Sequence, residues 1–351
     1  MNENTQKLKE LITQHSRSAN LGLYSEAQEQ NFTLTELLET LDPSEQTSQL
    51  DAFERQLMAH GILSDGRNAI AMEQFFVGSG LILLPEYILR EIRRGYKMVQ
   101  DPTEMVASVV HESGPTVRPI YIHTSYAKQS LAKRGSGGGG AYPRVELLYR
   151  DKEANLIDRG RQFDFSYRVV RNQKLTEFRV FLWWIGAQMA YDEIDDIYNT
   201  VMAGDGTSDA ATDVFDGVGG TFAYSDLVHL AMSFNTPARM THIMAKKADI
   251  EAIVNLSEFQ NPQAWRETEM FQHTGEYRSF LPVNAHLVEV PNATATKIVG
   301  LDSRFAIRET VAQPIMIEAE KVINQKLETA VVSKESVYTI MVDGAALVSD
   351  Y

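Results

Sequence analysis

Apolar residues recur at Phe178, Leu182, Ile185, Met189, Ile194, Ile197 and Val201, mostly three or four positions apart, in a stretch with no proline and one glycine, Gly186. That spacing places them on one face of a helix. The pattern predicts an uninterrupted helix from Leu175 to Ala203 that stops at Gly204-Asp205-Gly206-Thr207. At its usual rise such a helix is roughly 40 Å long, well beyond an ordinary globular helix. It reads as a rigid strut crossing a whole domain.

The first 75 residues differ in pattern from the rest of the chain. Lys7 to Gln14, Thr33 to Thr40 and Ser48 to Gly61 are short amphipathic helical patterns, separated by polar linkers at Ser16–Asn20 and Asp42–Ser44, and Thr33 to Glu36 forms a capping-box pattern. Helices this short need a surface to lie on. The segment is expected to be an arm docked on the body or on a neighbouring copy, with an independent small helical domain as the alternative. The body begins at Phe76 to Glu86, read as a glycine turn and an apolar strand ended by Pro85, followed by a helix from Glu86 to Arg94.

Val106 to Val110 and Thr116 to His123 read as strands, as do Val145 to Tyr149 and Arg161 to Val170, the last with period-two alternation. Between them, Gly135 to Gly140 places six small residues in a row, which suits a loop tip and not a core. Two extended arms around such a tip predict a long hairpin. Beyond the strut, Tyr224 to Phe234 is helical and His242 to Ala245 and Ile250 to Leu256 are short apolar runs. Ile315 to Leu327 fits helix or strand equally, and Val337 to Val342 is a last strand ending at Asp343-Gly344.

Composition narrows the function classes. The chain of 351 residues can form one large domain or two or three ordinary ones. No window reads as a membrane span, and the N-terminal residues lack the apolar core of a signal peptide. Cysteine is absent, which removes disulfides, thiolate nucleophiles and cysteine-ligated metals. The net charge of −14 argues against a dedicated nucleic-acid binder, whose affinity rests on clustered Lys and Arg. An acidic surface suits facing DNA without adhering to it.

Catalytic patterns are weak. Gly135, Gly137 and Gly140 match G-x-G-x-x-G formally, but Leu131 to Arg134 before them is no buried strand and Tyr142-Pro143 after them opens no helix. No Gly-Lys-Ser/Thr occurs. Asp192, Glu193, Asp195 and Asp196 cluster on the strut, where Asp192 shares a face with Asp195 or Asp196 and Glu193 turns away. Carboxylates near a helix C-terminus oppose its dipole, so this cluster reads as a solvated or interfacial acidic face approached by basic groups. The histidines are scattered, with no H-E-x-x-H and no nucleophile elbow, and Ser225-Asp226 reads as a helix N-cap region.

In this order the pieces form a pattern: a glycine-turn strand ending in Leu-Leu-Pro-Glu, an extended hairpin, a long helix ending in Gly-Asp-Gly-Thr, a mixed region, and a terminal strand with Asp-Gly-Ala-Ala-Leu. Together they resemble the tailed-bacteriophage major capsid protein of the Hong Kong 97 fold, an α+β architecture, from about Phe76 to Tyr351. The resemblance implies an N-terminal arm over 1–75, an arm-to-body segment over 76–115 and an extended loop (E-loop) over 116–164. It implies a peripheral domain with the spine helix over 165–212, an axial domain over 213–295 and strands returning to both domains over 296–351. The retained N-terminal extension and the glycine run depart from that pattern, the first bearing on maturation and the second on the E-loop.

The function implied is a structural one: hexamers and pentamers of this chain closing as an icosahedral virion shell around double-stranded DNA, assembled in the host cytoplasm, with no cofactor and no reaction. Cement, scaffolding and portal proteins are the further partners implied, and DNA would be met weakly and without sequence specificity. A two-stranded hairpin is marginal alone in water, and subunits covering one another's hairpins would supply the missing surface. Candidate assembly residues are Lys128, Lys133 and Arg134 near the E-loop tip, Trp183 and Trp184 on the strut, and Asp192, Asp195 and Asp196. The adjacent tryptophans point about 100° apart, one expected on the domain's sheet and the other on a neighbouring subunit. Some relatives crosslink such an E-loop lysine to an asparagine of the next subunit; charge pairing with acidic rims is the alternative. An encapsulin-like nanocompartment shell is the nearest other reading, and an α/β enzyme the reading from a different class.

Overall fold

The computed structural model describes residues 3–17, 22–29, 32–44, 50–62, 83–122, 148–166, 174–208, 210–214, 222–257, 285–322 and 327–351. The chain divides into two compact units. The first comprises Met1–Met98, Arg159–Gln188 and Ile315–Lys334, the second Val99–Asp158, Met189–Pro314 and Glu335–Tyr351.

In the first unit the N-terminal segment is helical: α1 (Glu3–Arg17), α2 (Gly22–Glu29), α3 (Leu34–Leu41) and α4 (Ala52–Ala59). Thr33 caps α3 with the expected reciprocal box, the Glu36 amide donating to Thr33 Oγ1 at 3.3 Å and the Thr33 amide to Glu36 Oε2 at 2.7 Å. Asp51 and Glu54 repeat the device at the start of α4. Leu8, Ile12, Leu23, Leu34, Leu38 and Phe53 are buried, so these short helices gain from packing what they lack alone. The loop between α3 and α4 is held by Arg55, whose Nε reaches Asp42 at 3.2 Å and whose Nη1 reaches Ser44 at 2.7 Å. Thr5 Oγ1 donates to Asp42 at 2.8 Å, tying α1 to the same point.

Helix α5 (Leu83–Tyr96) begins two residues before Pro85, where a strand end was expected. Proline is tolerated there because the first-turn amides have no intrahelical acceptor. Its buried Tyr87, Ile88, Ile92 and Tyr96 form one face. Helix α6 (Leu175–Ala203) is the predicted strut, with the bounds read from the sequence, and positive φ at Gly204 (82°) and Gly206 (79°) ends it. Its residues up to Gln188 belong to the first unit and those from Met189 to the second.

The second unit holds a five-stranded sheet ordered β7-β13-β10-β8-β9, from β7 (Thr212–Asp213), β8 (His242–Ala245), β9 (His286–Glu289), β10 (Lys297–Leu301) and β13 (Ala346–Asp350). β10 runs antiparallel to both β13 and β8, while β8–β9 and β13–β7 are parallel. One face packs Met244, Val288, Val299 and Val348 against Ile194, Ile197, Tyr198 and Val201 of α6. The other packs Ile243, Ile298 and Leu347 against Leu227 and Leu230 of α7 (Tyr224–Met232) and Ile253 of α8 (Lys247–Val254). A sheet covered on both faces reads as continuous apolar runs, as the fully buried β8 does. The apolar run Ile250 to Leu256 instead belongs largely to α8, and β13 was not expected from the sequence pattern.

The described part of the ambiguous segment Ile315 to Leu327 is strand. β11 (Ile307–Val322) and β12 (Leu327–Ile340) are neighbours; within the second unit β1 (Ser108–His111) pairs in parallel with β11, and within the first β6 (Ile157–Ser166) neighbours β12. Thus the strand that carries residues 161–166 lies beside β12, not beside the first hairpin arm. The arms themselves pair antiparallel in two short ladders, β2 (Thr116–Val117) with β5 (Ala154–Asn155) and β3 (Ile120–Tyr121) with β4 (Leu148–Tyr149).

Candidate assembly surfaces

The two tryptophans of the strut have different surroundings. Trp183 is pinned within its own unit: its indole Nε1 donates to Glu91 Oε2 at 2.6 Å and the Arg179 guanidinium lies over its ring, 4.9 Å from the centroid. Its partner is helix α5, where a sheet was expected. The two helices touch at glycines: a Cβ on Gly95 would overlap the Trp183 carbonyl oxygen, and one on Gly186 would overlap that of Ile92 and stand 2.7 Å from the Tyr96 nitrogen. Glycine here permits backbone-to-backbone approach.

Trp184 is 66% exposed, beside Val180 at 55% and Phe181 at 43%. Positions 180 and 181 each lie about one turn from 184, and the three form an exposed apolar stripe beside the face that buries Phe178, Leu182 and Ile185. Phe181 is edged by Phe163 of β6, with ring centroids 6.2 Å apart at 84°. Three large apolar side chains in one exposed stripe are the kind of surface that marks an interaction site. Periodicity follows one helix face and so passes over this second one.

The acidic cluster, expected as a solvated or interfacial face, divides in two. Glu193 and Asp195 are buried, at 3% and 7% exposure, and Asp192 and Asp196 are half-buried. Both buried carboxylates take neutral donors: Tyr338 Oη donates to Glu193 Oε2 at 2.8 Å, and the Asn292 amide nitrogen donates to Asp195 Oδ1 at 3.2 Å while its side-chain amide reaches Oδ2. Burial raises the Asp195 pKa, against the lowering effect of the Asn292 hydrogen bonds. Asp205, just past the helix, is also pushed up by burial, but hydrogen bonds from Thr207, the Ile340 amide and Ser208 outweigh this and hold it below the usual range. These carboxylates organise the interior of the second unit, and Asp195 is used within its own chain.

The N-terminal helices pack on α5 of the same chain. Thr35 Oγ1 donates to the buried Glu86 at 2.6 Å and the Glu86 amide donates to Tyr24 Oη at 3.3 Å. Burial first, and the Glu86 charge second, push the Tyr24 phenol well above its ordinary value. Arg90 pairs with Asp51, its Nη1 at 3.2 Å from Oδ1, and its guanidinium stacks over Phe53 at 4.9 Å. Lys128, Lys133 and Arg134, and the glycine run beside them, lie outside the described residues. Among the described residues no cluster of three His, Asp or Glu side chains could hold a metal ion. No helix among them is long and apolar enough to cross a membrane.

No family model matches the sequence, and neither does any curated protein. Solved structures do match. The capsids of an empty and a native GTA particle each superpose with a TM-score of 0.50 at 11% identity, covering 72% of this chain and 91% of theirs. The chain has a capsid-shell fold. A virus-like particle from Pyrococcus furiosus is also similar, with a TM-score of 0.48 at 11% identity over 76% of this chain and 99% of that one. On the two GTA capsids, the capsid resemblance read from the sequence holds at the level of fold, a mixed helix-and-sheet architecture.

Proposed function

We propose that this chain is the major capsid protein of a tailed phage, a structural subunit that self-assembles into hexamers and pentamers of an icosahedral shell around double-stranded DNA. The observation that carries this reading is the shared capsid-shell fold, which takes in nearly all of the matched subunits' length. In this reading the segment 116–164 is the E-loop, the first half of α6 lies in the peripheral domain, and the five-stranded sheet with α7 and α8 belongs to the axial domain. The Val180–Phe181–Trp184 stripe is supporting detail: large aromatic side chains left open on a rigid element are the usual anchors of protein interfaces, and Trp184 is assigned to a neighbouring subunit. Lys128, Lys133 and Arg134 are assigned to contacts with acidic rims of the next copy, and Asp192 and Asp196 to such a rim. Scaffolding, cement and portal proteins are the further partners of this role, in a host cytoplasm where the shell is built. No reaction is assigned.

Negative-stain electron microscopy of the recombinant protein tests the reading. Closed shells, tubes or capsomer rings are expected. Particles recovered from the native source that protect DNA from nuclease support the phage role, whereas protein cargo without DNA would make the chain a nanocompartment shell subunit. A protein that stays monomeric, even with virion partners added, would overturn both.

A further inference from the structure

The two arms of the hairpin are anchored at one point of the second unit. The Ile122 amide donates to the Met341 carbonyl at 2.9 Å and Ile122 bridges to Val342 in parallel, so the first arm ends on the strand exit just before the Asp343–Gly344 turn. The second arm returns at Arg150, whose amide donates to the Pro119 carbonyl at 2.9 Å. From there the Arg150 side chain reaches the same turn: Nη2 donates to Asp343 Oδ1 at 3.1 Å, and the guanidinium lies over the Tyr121 ring, 4.4 Å from its centroid. One side chain thus joins the second arm, the first arm and the turn after β12.

The arginine is 13% exposed and the aspartate 45%. Arg150 Nε is buried and takes no acceptor among the described residues. A guanidinium placed for stability alone would use its fork on both carboxylate oxygens, and a buried donor left unmet is costly. Here the cation makes one directed contact to a half-exposed carboxylate on a turn, while the ring of Tyr121 fixes its plane. That arrangement ties both arms and the turn through one side chain.

We propose that Arg150 and Asp343 form a latch that sets the angle of the paired arms relative to the turn between β12 and β13. Its consequence for particle geometry rests on the shell reading, in which the arms lie over a neighbouring subunit and their angle sets the curvature between subunits. Asp343 is a positioning residue in this scheme.

The test compares full-length wild type with Asp343→Ala and Asp343→Glu, first as unassembled subunits by hydrogen exchange. Loss of one charge-assisted contact is expected to speed amide exchange at Ile122 and Arg150 about fivefold in Asp343→Ala. Exchange in β10 should stay unchanged, and Asp343→Glu should restore the wild-type rates. Equal exchange in all three proteins would overturn the latch, and so would acceleration spread equally into β10, which marks general destabilisation. Electron microscopy of the same proteins reads the consequence: Asp343→Ala should broaden the distribution of particle diameters and Asp343→Glu should not. Failure of the wild type to assemble would sink the shell reading while the exchange rates still decide the latch.

Discussion

The two halves of α6 are one continuous helix built to two different rules. From Met189 onward the helix is an interior element: Ile194, Ile197, Tyr198 and Val201 fill one face of the five-stranded sheet, and Glu193 and Asp195 are buried with donors from Tyr338 and Asn292. Up to Gln188 it has two apolar sides. One meets α5 through Gly95 and Gly186, and the other leaves Val180, Phe181 and Trp184 open. Regular helical geometry accepts both, so the difference lies in what the side chains demand of their surroundings. The second half is enclosed by its own chain, while the first leaves this stripe exposed among the described residues.

The comparison can be broken most strongly at Gly186. Alanine there would gain roughly 1 kcal/mol of helix propensity, but its methyl group meets the rigid backbone of α5 and not a flexible side-chain end. Gly186→Ala is therefore expected to lose about 2–3 kcal/mol net, read as a lower urea midpoint; a stabilised protein would refute the close packing of α5 on α6. In the second half, Tyr338→Phe and Asn292→Ala each remove a donor from a buried carboxylate and should cost about 1–3 kcal/mol, measured by thermal melting. No loss in either variant would mean that those carboxylates are held by other means.

Two smaller effects sharpen the contrast. Burial, then the Lys9 charge, pushes the His60 imidazole down to about 4 from 6.5. The fold thus favours the neutral ring: the N-terminal helices keep full stability above pH 6.5, lose it as pH falls toward 4, and lose no more from this group below that. The expected loss is about 1 kcal/mol after screening of a partly exposed ring, visible as faster amide exchange in α4; a flat profile across this window would contradict it. Trp184→Ser should change the subunit's own melting least, by roughly 0.5 kcal/mol or less, while raising the protein concentration needed for assembly about tenfold. A large drop in melting temperature would instead make Trp184 a core residue.

Local chemistry was legible and distant chemistry was not. The strut, its glycine stop and the Thr33 capping box follow from spacings within a few residues, and the structure reproduces them. The Asp51 box carries the same signature and could have been read. Leu83 and Leu84 look like a strand end because Pro85 follows, yet they open a helix whose first turn accepts proline. The burial of Glu193 and Asp195 depends on donors 145 and 97 residues away, which no helix pattern displays. Arg150 and Asp343 are 193 residues apart, and neither residue stands out in its own neighbourhood.

The exposed stripe poses the sharpest question about the chain, namely whether other copies complete it. Light scattering of the purified full-length protein across a range of concentrations measures this directly. The account predicts a mass of many copies that appears above a threshold concentration, as for a closed shell. A single-subunit mass at every concentration, unchanged when virion partners are added, would contradict it.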